Sequence, residues 1–297
     1  MKSLTMIILG VISLLALGIV FSSFSVFAGS TSIGNVSIAN SASKMGAVTL
    51  FNAAGEAAAI DLSAGSTVVV TANATVTDYD GGTDISSANA TLYHSTSTLG
   101  AADDENKHIT NSSCTLSEAD GNTKLVTCSF TMNYMALSGT WTASITSTDS
   151  ENHASSNAST NTVNELAALD VVTATVDFGS IELGANSSEA ADMTIRSQGN
   201  VVIDARFSGD DYTCTTGEIP VGNTRYSTSD TDYDTMTADL TTSPETDTGL
   251  DLGIRGVATA DGANSDGTEY WTITVPDESG IGGTCTNTLT VAAIASV

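Results

Sequence analysis

The feature that most constrains this chain is a two-residue alternation of apolar and polar side chains. In KLVTCSFTMNY, residues 124–134, Val126, Cys128, Phe130, Met132 and Tyr134 fall on one face, with Thr127, Ser129, Thr131 and Asn133 on the other. TVVVTANATVTD, residues 67–78, aligns Val68, Val70, Ala72, Ala74 and Val76, and GTWTASITSTD, residues 139–149, aligns Trp141, Ala143 and Ile145. Successive side chains of a strand point to opposite faces, so this period specifies strands with one buried face and one wet face. No stretch after residue 28 carries a convincing helical period, although NELAALDVV has room for a short helical turn.

Turn signals punctuate these strands at Asp80-Gly81-Gly82, Asp120-Gly121-Asn122, Ser138-Gly139, Gly199-Asn200, Asp261-Gly262 and Gly282-Gly283. Many short strands with regular turns predict an all-β chain of sandwich type. One boundary is visible. The polar stretch DSENHASSNASTNTVNE, residues 149–165, ends a strand, and apolar residues resume at Leu166. The expected layout is an extended lead-in over residues 29–59, one sandwich over 60–165 and a second over 166–297.

The first 28 residues carry a single charge, at Lys2, and an apolar run from Met6 to Phe21. Val26-Phe27-Ala28 before Gly29 suits signal peptidase, so a secretory signal cleaved after Ala28 is expected. The run also suits a retained membrane anchor, being slightly short for a span. A pilin-type leader would need a basic residue and a glycine just before the run, and they are missing.

The chain is strongly acidic, with 34 Asp and Glu against 8 Lys and Arg and a formal charge of −26. Binding phosphates requires Lys and Arg, so nucleic acid and anionic lipid headgroups are excluded as partners. Solubility at a cell surface, calcium binding and life in high salt all remain open readings of the acidity. Four cysteines in a secreted chain read as two disulfides. Cys114 and Cys128 stand equally far from Gly121, inside a turn signal, so a hairpin brings them face to face. Cys214–Cys285 is then left by elimination.

Two stretches carry a family resemblance. VTANATVTDYDGGTDISSANATLY and YMALSGTWTASITSTD look like the immunoglobulin-like modules of bacterial and archaeal surface proteins, through Val70, Ala72, Val76 and Asp78, then Gly139, Trp141, Ile145 and Asp149. VDFGSIELGANSSEAADMTIRSQGNVVIDARFSGDDYTC is similar to related anchor modules, with Ser197-Gln198-Gly199-Asn200 at their turn. The whole plan resembles tandem-module secreted surface proteins of small-genome archaea. The resemblance implies two tandem immunoglobulin-like sandwiches after an N-terminal signal or anchor helix. It implies a location rather than a substrate. Trp141 then reads as a core anchor.

Candidate chemistry is sparse. His94, His108 and His153 sit in separate polar segments, with no nucleophile, metalloprotease or phosphate-loop motif near them, and His94 reads as a surface residue. The chain is therefore expected not to be an enzyme. In DYDGGTD, Asp78, Asp80 and Asp84 around a glycine bend are a candidate set for calcium, which takes six to eight oxygen ligands. The loop departs from the EF-hand pattern, since Asn89 stands twelfth where a Glu is needed, and a plain turn explains the same residues. Asp230, Asp232 and Asp234 form a weaker set in a long polar loop. Six glycosylation sequons fall at Asn35, Asn73, Asn89, Asn111, Asn157 and Asn186, with Asn73 and Asn89 between inward alanines and so facing outward. The expectation is a non-enzymatic, secreted cell-surface structural protein whose partners are other surface proteins or its own copies. The alternatives are a filament subunit polymerising by strand donation from residues 29–60, and an adhesin for carbohydrate or protein.

Overall fold

Among the described residues every regular element is a strand or a single 3-10 turn, as the two-residue period dictates. The computed structural model describes residues 36, 39–173, 175–256 and 265–296. The expected signal or anchor, the Asn35 sequon and the Asp261-Gly262 turn lie outside them. The chain divides into units 1–40 and 41–297, and every strand named below belongs to the second.

The N-terminal half holds β1 (Lys44–Phe51), β2 (Thr67–Thr77), β3 (Ile85–His94), β4 (His108–Asn111), β5 (Thr115–Leu116), β6 (Thr123–Asn133), β7 (Gly139–Asp149) and β8 (Ala154–Val163). They form two four-stranded sheets, ordered β1-β2-β6-β5 and β4-β3-β7-β8. All pairs are antiparallel, and β2 and β6 run in register over their full length, from Thr67↔Asn133 to Thr77↔Thr123. The inward residues merge into one core holding Val70, Ala72, Phe130, Leu92, Trp141 and Ile145. Burying each large aliphatic or aromatic side chain contributes about 1.5–3 kcal/mol, and the alanines let the sheets close on them. Trp141 is fully buried and its Nε1 donates to the Leu137 carbonyl at 2.8 Å, so it is the core anchor its position predicts.

Residues 44–51, within the stretch the sequence reads as a lead-in able to supply an extra strand, form β1, paired with β2 through Val48↔Ala74 and Leu50↔Ala72. The Val48 and Leu50 side chains are buried against this chain's own core.

The C-terminal half holds β9 (Leu169–Val171), β10 (Ala191–Ser197), β11 (Ile203–Gly209), β12 (Tyr212–Thr216), β13 (Glu218–Ile219), β14 (Thr224–Ser227), β15 (Ala238–Asp239), β16 (Glu245–Leu252), β17 (Asp266–Ile273), β18 (Gly282–Thr286) and β19 (Leu289–Ala295). Sheets β15-β14-β17-β10-β9 and β16-β11-β19 share a core built around Phe207, Tyr226 and Trp271, and β13-β12-β18 forms a smaller third sheet. Both expected disulfides are present, Cys114–Cys128 with Cα atoms 4.5 Å apart and Cys214–Cys285 with Cα atoms 3.8 Å apart. Each joins cross-strand neighbours: Thr115↔Thr127 sets the first pair opposite one another, and Cys214↔Cys285 are themselves register partners.

Candidate cation site

Strand parity builds a carboxylate cluster at one end of the N-terminal sheet pair. The inward series of β2, Val70, Ala72, Ala74 and Val76, continues one step past the strand to Asp78, which is wholly buried. In the facing sheet the inward series of β7, Trp141, Ala143, Ile145 and Ser147, ends on Asp149, also buried. Between them the chain crosses from one sheet to the other through residues 79–84, with a 3-10 turn at Gly82–Asp84. A bulge at the start of β3 sets Ile85 opposite Asp149, so Asp84 arrives beside it. One carboxylate oxygen from each of Asp78, Asp84 and Asp149 lies within 4.8 Å of the others.

The glycines of the crossing are structural requirements. Gly81 has φ 125°, which an L side chain rarely adopts. A Cβ on Gly82 would lie 2.8 Å from the Thr123 carbonyl oxygen and 3.0 Å from that of Gly121. This close approach lets the Gly82 amide donate to the Gly121 carbonyl at 2.9 Å while the Asp78 amide donates to the Asn122 carbonyl at 2.7 Å. The crossing is thereby pinned to the β5–β6 turn.

The hydrogen bonds of the cluster are lopsided. Asp78 Oδ1 accepts from the Asp80 amide at 2.9 Å, but its buried Oδ2 has no partner. Asp84 Oδ1 accepts from the Ser150 hydroxyl, and its buried Oδ2 is likewise unpartnered. Asp149 Oδ1 accepts from the amides of Glu151 at 3.0 Å and His153 at 2.8 Å, and its Oδ2 lies 3.0 Å from His153 Nδ1. Burial by itself would push the Asp149 carboxyl up, but these bonds from His153 and Glu151 outweigh it and hold the group below the usual carboxylate range. No Lys or Arg pairs with Asp78 or Asp84 among the described residues, and Lys124 donates instead to the Ile85 carbonyl at 2.9 Å.

The structure therefore gathers two of the three acids the sequence singles out and replaces the third. Asp80 is exposed and outside the cluster, and it accepts from the Ser41 amide and hydroxyl, the latter at 2.7 Å, bonds that lower its pKa. Asp149 was legible through its parity with Trp141, a signal weaker than the DYDGGTD motif. Asp230, Asp232 and Asp234 are not brought together as a ligand set among the described residues.

His94, expected at the surface, is buried, with Nδ1 2.8 Å from Thr96 Oγ1, Nε2 3.0 Å from the Ser138 carbonyl and its ring edge-on to Trp141. It shares the inward parity of Ala88, Ala90 and Leu92, which outweighs its polarity. Among the sequons, Asn89 and Asn186 are exposed with free side-chain amides. Asn111 and Asn157 spend theirs on the carbonyls of Ser129 and Gly46, each at 2.9 Å, and Asn73 is half-buried with its Oδ1 enclosed.

No family model and no curated protein matches this chain. Distant likenesses to solved structures exist. The dimeric latent PorU of Porphyromonas gingivalis is 13% identical with a TM-score of 0.28, over 89% of this chain and 21% of that one, so this chain spans about a fifth of its length. A chaperone–tip adhesin complex of CFA/I fimbriae gives 9% identity and 0.30, over 84% of both chains. Carbohydrate-binding modules of the β-sandwich superfamily give 11% and 0.26, over 86% of this chain and 97% of that one. All three TM-scores lie far below 0.5.

Proposed function

We propose that this chain is a secreted, non-enzymatic structural protein of the cell surface, built as two tandem immunoglobulin-like sandwiches, the first of residues 60–165 joined by β1 and the second over 166–297. One observation carries the reading: all four cysteines are consumed in two cross-strand disulfides, one in each half, and none is free. Such pairs persist in oxidising compartments and are rare in the reducing cytosol. The charge of −26 and the signal-like first 28 residues point the same way. Each histidine makes a local hydrogen bond, His94 to Thr96, His108 to Asp103 and His153 to Asp149. Asn89 and Asn186 are the two sequons best placed to carry glycans.

The test is surface accessibility on the cells that make the protein. Protease added to intact cells should release peptides from residues 41–297, and the Cys114–Cys128 and Cys214–Cys285 peptides should be recovered linked when no reductant is used. Recovery of the chain only after lysis, with its thiols free, would overturn the reading. A second reading, as an adhesin, is favoured by a groove of about 1000 Å³ beside Phe178, Tyr212, Trp271 and Leu289. Its mixed polar and apolar walls suit a carbohydrate or a peptide strand, and a glycan array with the Phe178→Ala variant as control checks it.

A further inference from the structure

We propose that Asp78, Asp84 and Asp149 bind one divalent cation of the calcium class, and that the ion clamps the two sheets of the N-terminal half where the chain crosses between them. Such a site would stand wherever the protein works. Its signs are the placement of charge and two orphaned oxygens.

Asp78 and Asp149 are buried, and no Lys or Arg answers Asp78 or Asp84 among the described residues. An ionised carboxylate taken out of water without a counter-charge is strongly disfavoured, so the cluster needs a neutralising partner. Asp78 Oδ2 is enclosed and has no hydrogen-bond partner. Asp84 Oδ2 repeats the situation from the adjoining segment. Oxygens left unpartnered inside a well-bonded loop are what a ligand set looks like before its ion arrives.

The donor chemistry selects the ion. All three side-chain donors are carboxylate oxygens, with no sulfur, and the one adjacent imidazole already faces Asp149 Oδ2. Hard oxygen donors suit calcium or magnesium rather than zinc or copper. The three oxygens lie within 4.8 Å of one another, close enough to share one ion, and calcium tolerates an irregular shell where magnesium needs a stricter octahedron. Asp84 is only partly covered, which leaves a side from which water completes the shell.

The clamp would act across distant parts of the chain. Asp78 closes β2 in one sheet, Asp149 closes β7 in the other, and Asp84 opens β3. Asp80 is then a positioning residue. Its amide fixes Asp78 Oδ1, and its carboxylate holds Ser41 at the start of this unit.

The experiment uses the full mature chain stripped with EGTA and titrated with calcium chloride, with magnesium chloride as control. Calorimetry should show one calcium per chain, and the melting temperature should rise by about 5 °C when calcium stands about a hundredfold above its Kd. Asp84→Asn should lose the shift, whereas Asp80→Asn should keep most of it. Terbium in place of calcium should luminesce through Tyr79, and Tyr79→Phe should abolish that emission while calcium binding persists. This readout locates the ion even if Asp84→Asn fails to fold. Absence of heat and of any shift at millimolar calcium would overturn the proposal. So would loss of binding in Asp80→Asn with retention in Asp84→Asn, or full terbium emission in Tyr79→Phe.

Discussion

The two halves of residues 41–297 start from the same alternating pattern and reach different interiors. In the N-terminal half, strands of ten or eleven residues pair in long register and their inward faces merge into a single core of 21 buried residues. In the C-terminal half, no main strand exceeds eight residues, the buried residues fall into separate clusters of ten and four, and a groove opens beside them. Composition compensates in part. The first core closes on small inward residues such as Ala72, Ala74, Ala90 and Ala143, while the second depends on Trp271 packed against Phe207 and Tyr226 at 5.0 and 5.2 Å between ring centroids. Long uninterrupted alternation closes a core from strands alone; short strands need large aromatics and still leave a gap.

The largest expected effect separates the two tryptophans. Trp141→Ala should cost about 4–5 kcal/mol, because it opens a closed core and orphans the Leu137 carbonyl. Trp271→Ala should cost nearer to about 3 kcal/mol, because Trp271 borders the existing groove and its Nε1 has no partner to lose. Urea unfolding of both variants checks this, and equal losses would break the comparison.

The disulfides should reverse the order. On the chain-entropy model, opening Cys214–Cys285, with a separation of 71 residues, costs about 4.4 kcal/mol, against about 3 kcal/mol for Cys114–Cys128 with a separation of 14. Paired Cys→Ala variants under the same denaturant series measure the difference. A larger loss from the shorter loop would mean that packing of Cys128 in the first core outweighs loop entropy.

Asn200 tests the connection between the halves. It is buried, its Nδ2 donates to the carbonyls of Ala136 and Asn164 at 3.0 Å each, and its Oδ1 accepts from the Leu166 amide. Asn200→Ala should cost about 2–3 kcal/mol by leaving those backbone groups unanswered. Stability measured by thermal melt and unchanged to within about 0.5 kcal/mol would show that water replaces the bonds.

Acid should produce the smallest difference. Asp80, Asp103 and Asp149 in the first half, and Asp266 beside Arg196 in the second, all titrate below the ordinary 3.8 in the folded chain. A depressed carboxylate contributes stability above its unfolded pKa and loses it as pH falls through the folded one. Both halves should therefore weaken below about pH 4, the first slightly more. Tyrosine and tryptophan fluorescence against pH would register it.

Much of this fold was readable because period two is a strong signal. β2, β6 and β7 and the core role of Trp141 derive from it directly, while Cys114–Cys128 was readable from the turn at Gly121 and Cys214–Cys285 by elimination. β1 was not, since Val48 and Leu50 announce a strand but not the identity of β2 as its partner. In the C-terminal half, the alternating Val176 and Phe178 lie in a segment without strand pairing, and they line the groove instead. At the carboxylate cluster, the motif DYDGGTD drew Asp80 into the set, although its carboxylate turns to Ser41. Asp149 is 65 residues beyond Asp84, and only the sheet-to-sheet geometry brings them together.

Hydrogen exchange with and without calcium tests the central claim most directly, because it reads the two halves of one molecule at once. If the first half is clamped by an ion at Asp78, Asp84 and Asp149, calcium should slow amide exchange over residues 77–86 and 149–153 and leave the C-terminal sheets unchanged. No protection at those segments, or protection spread evenly over both halves, would contradict the account.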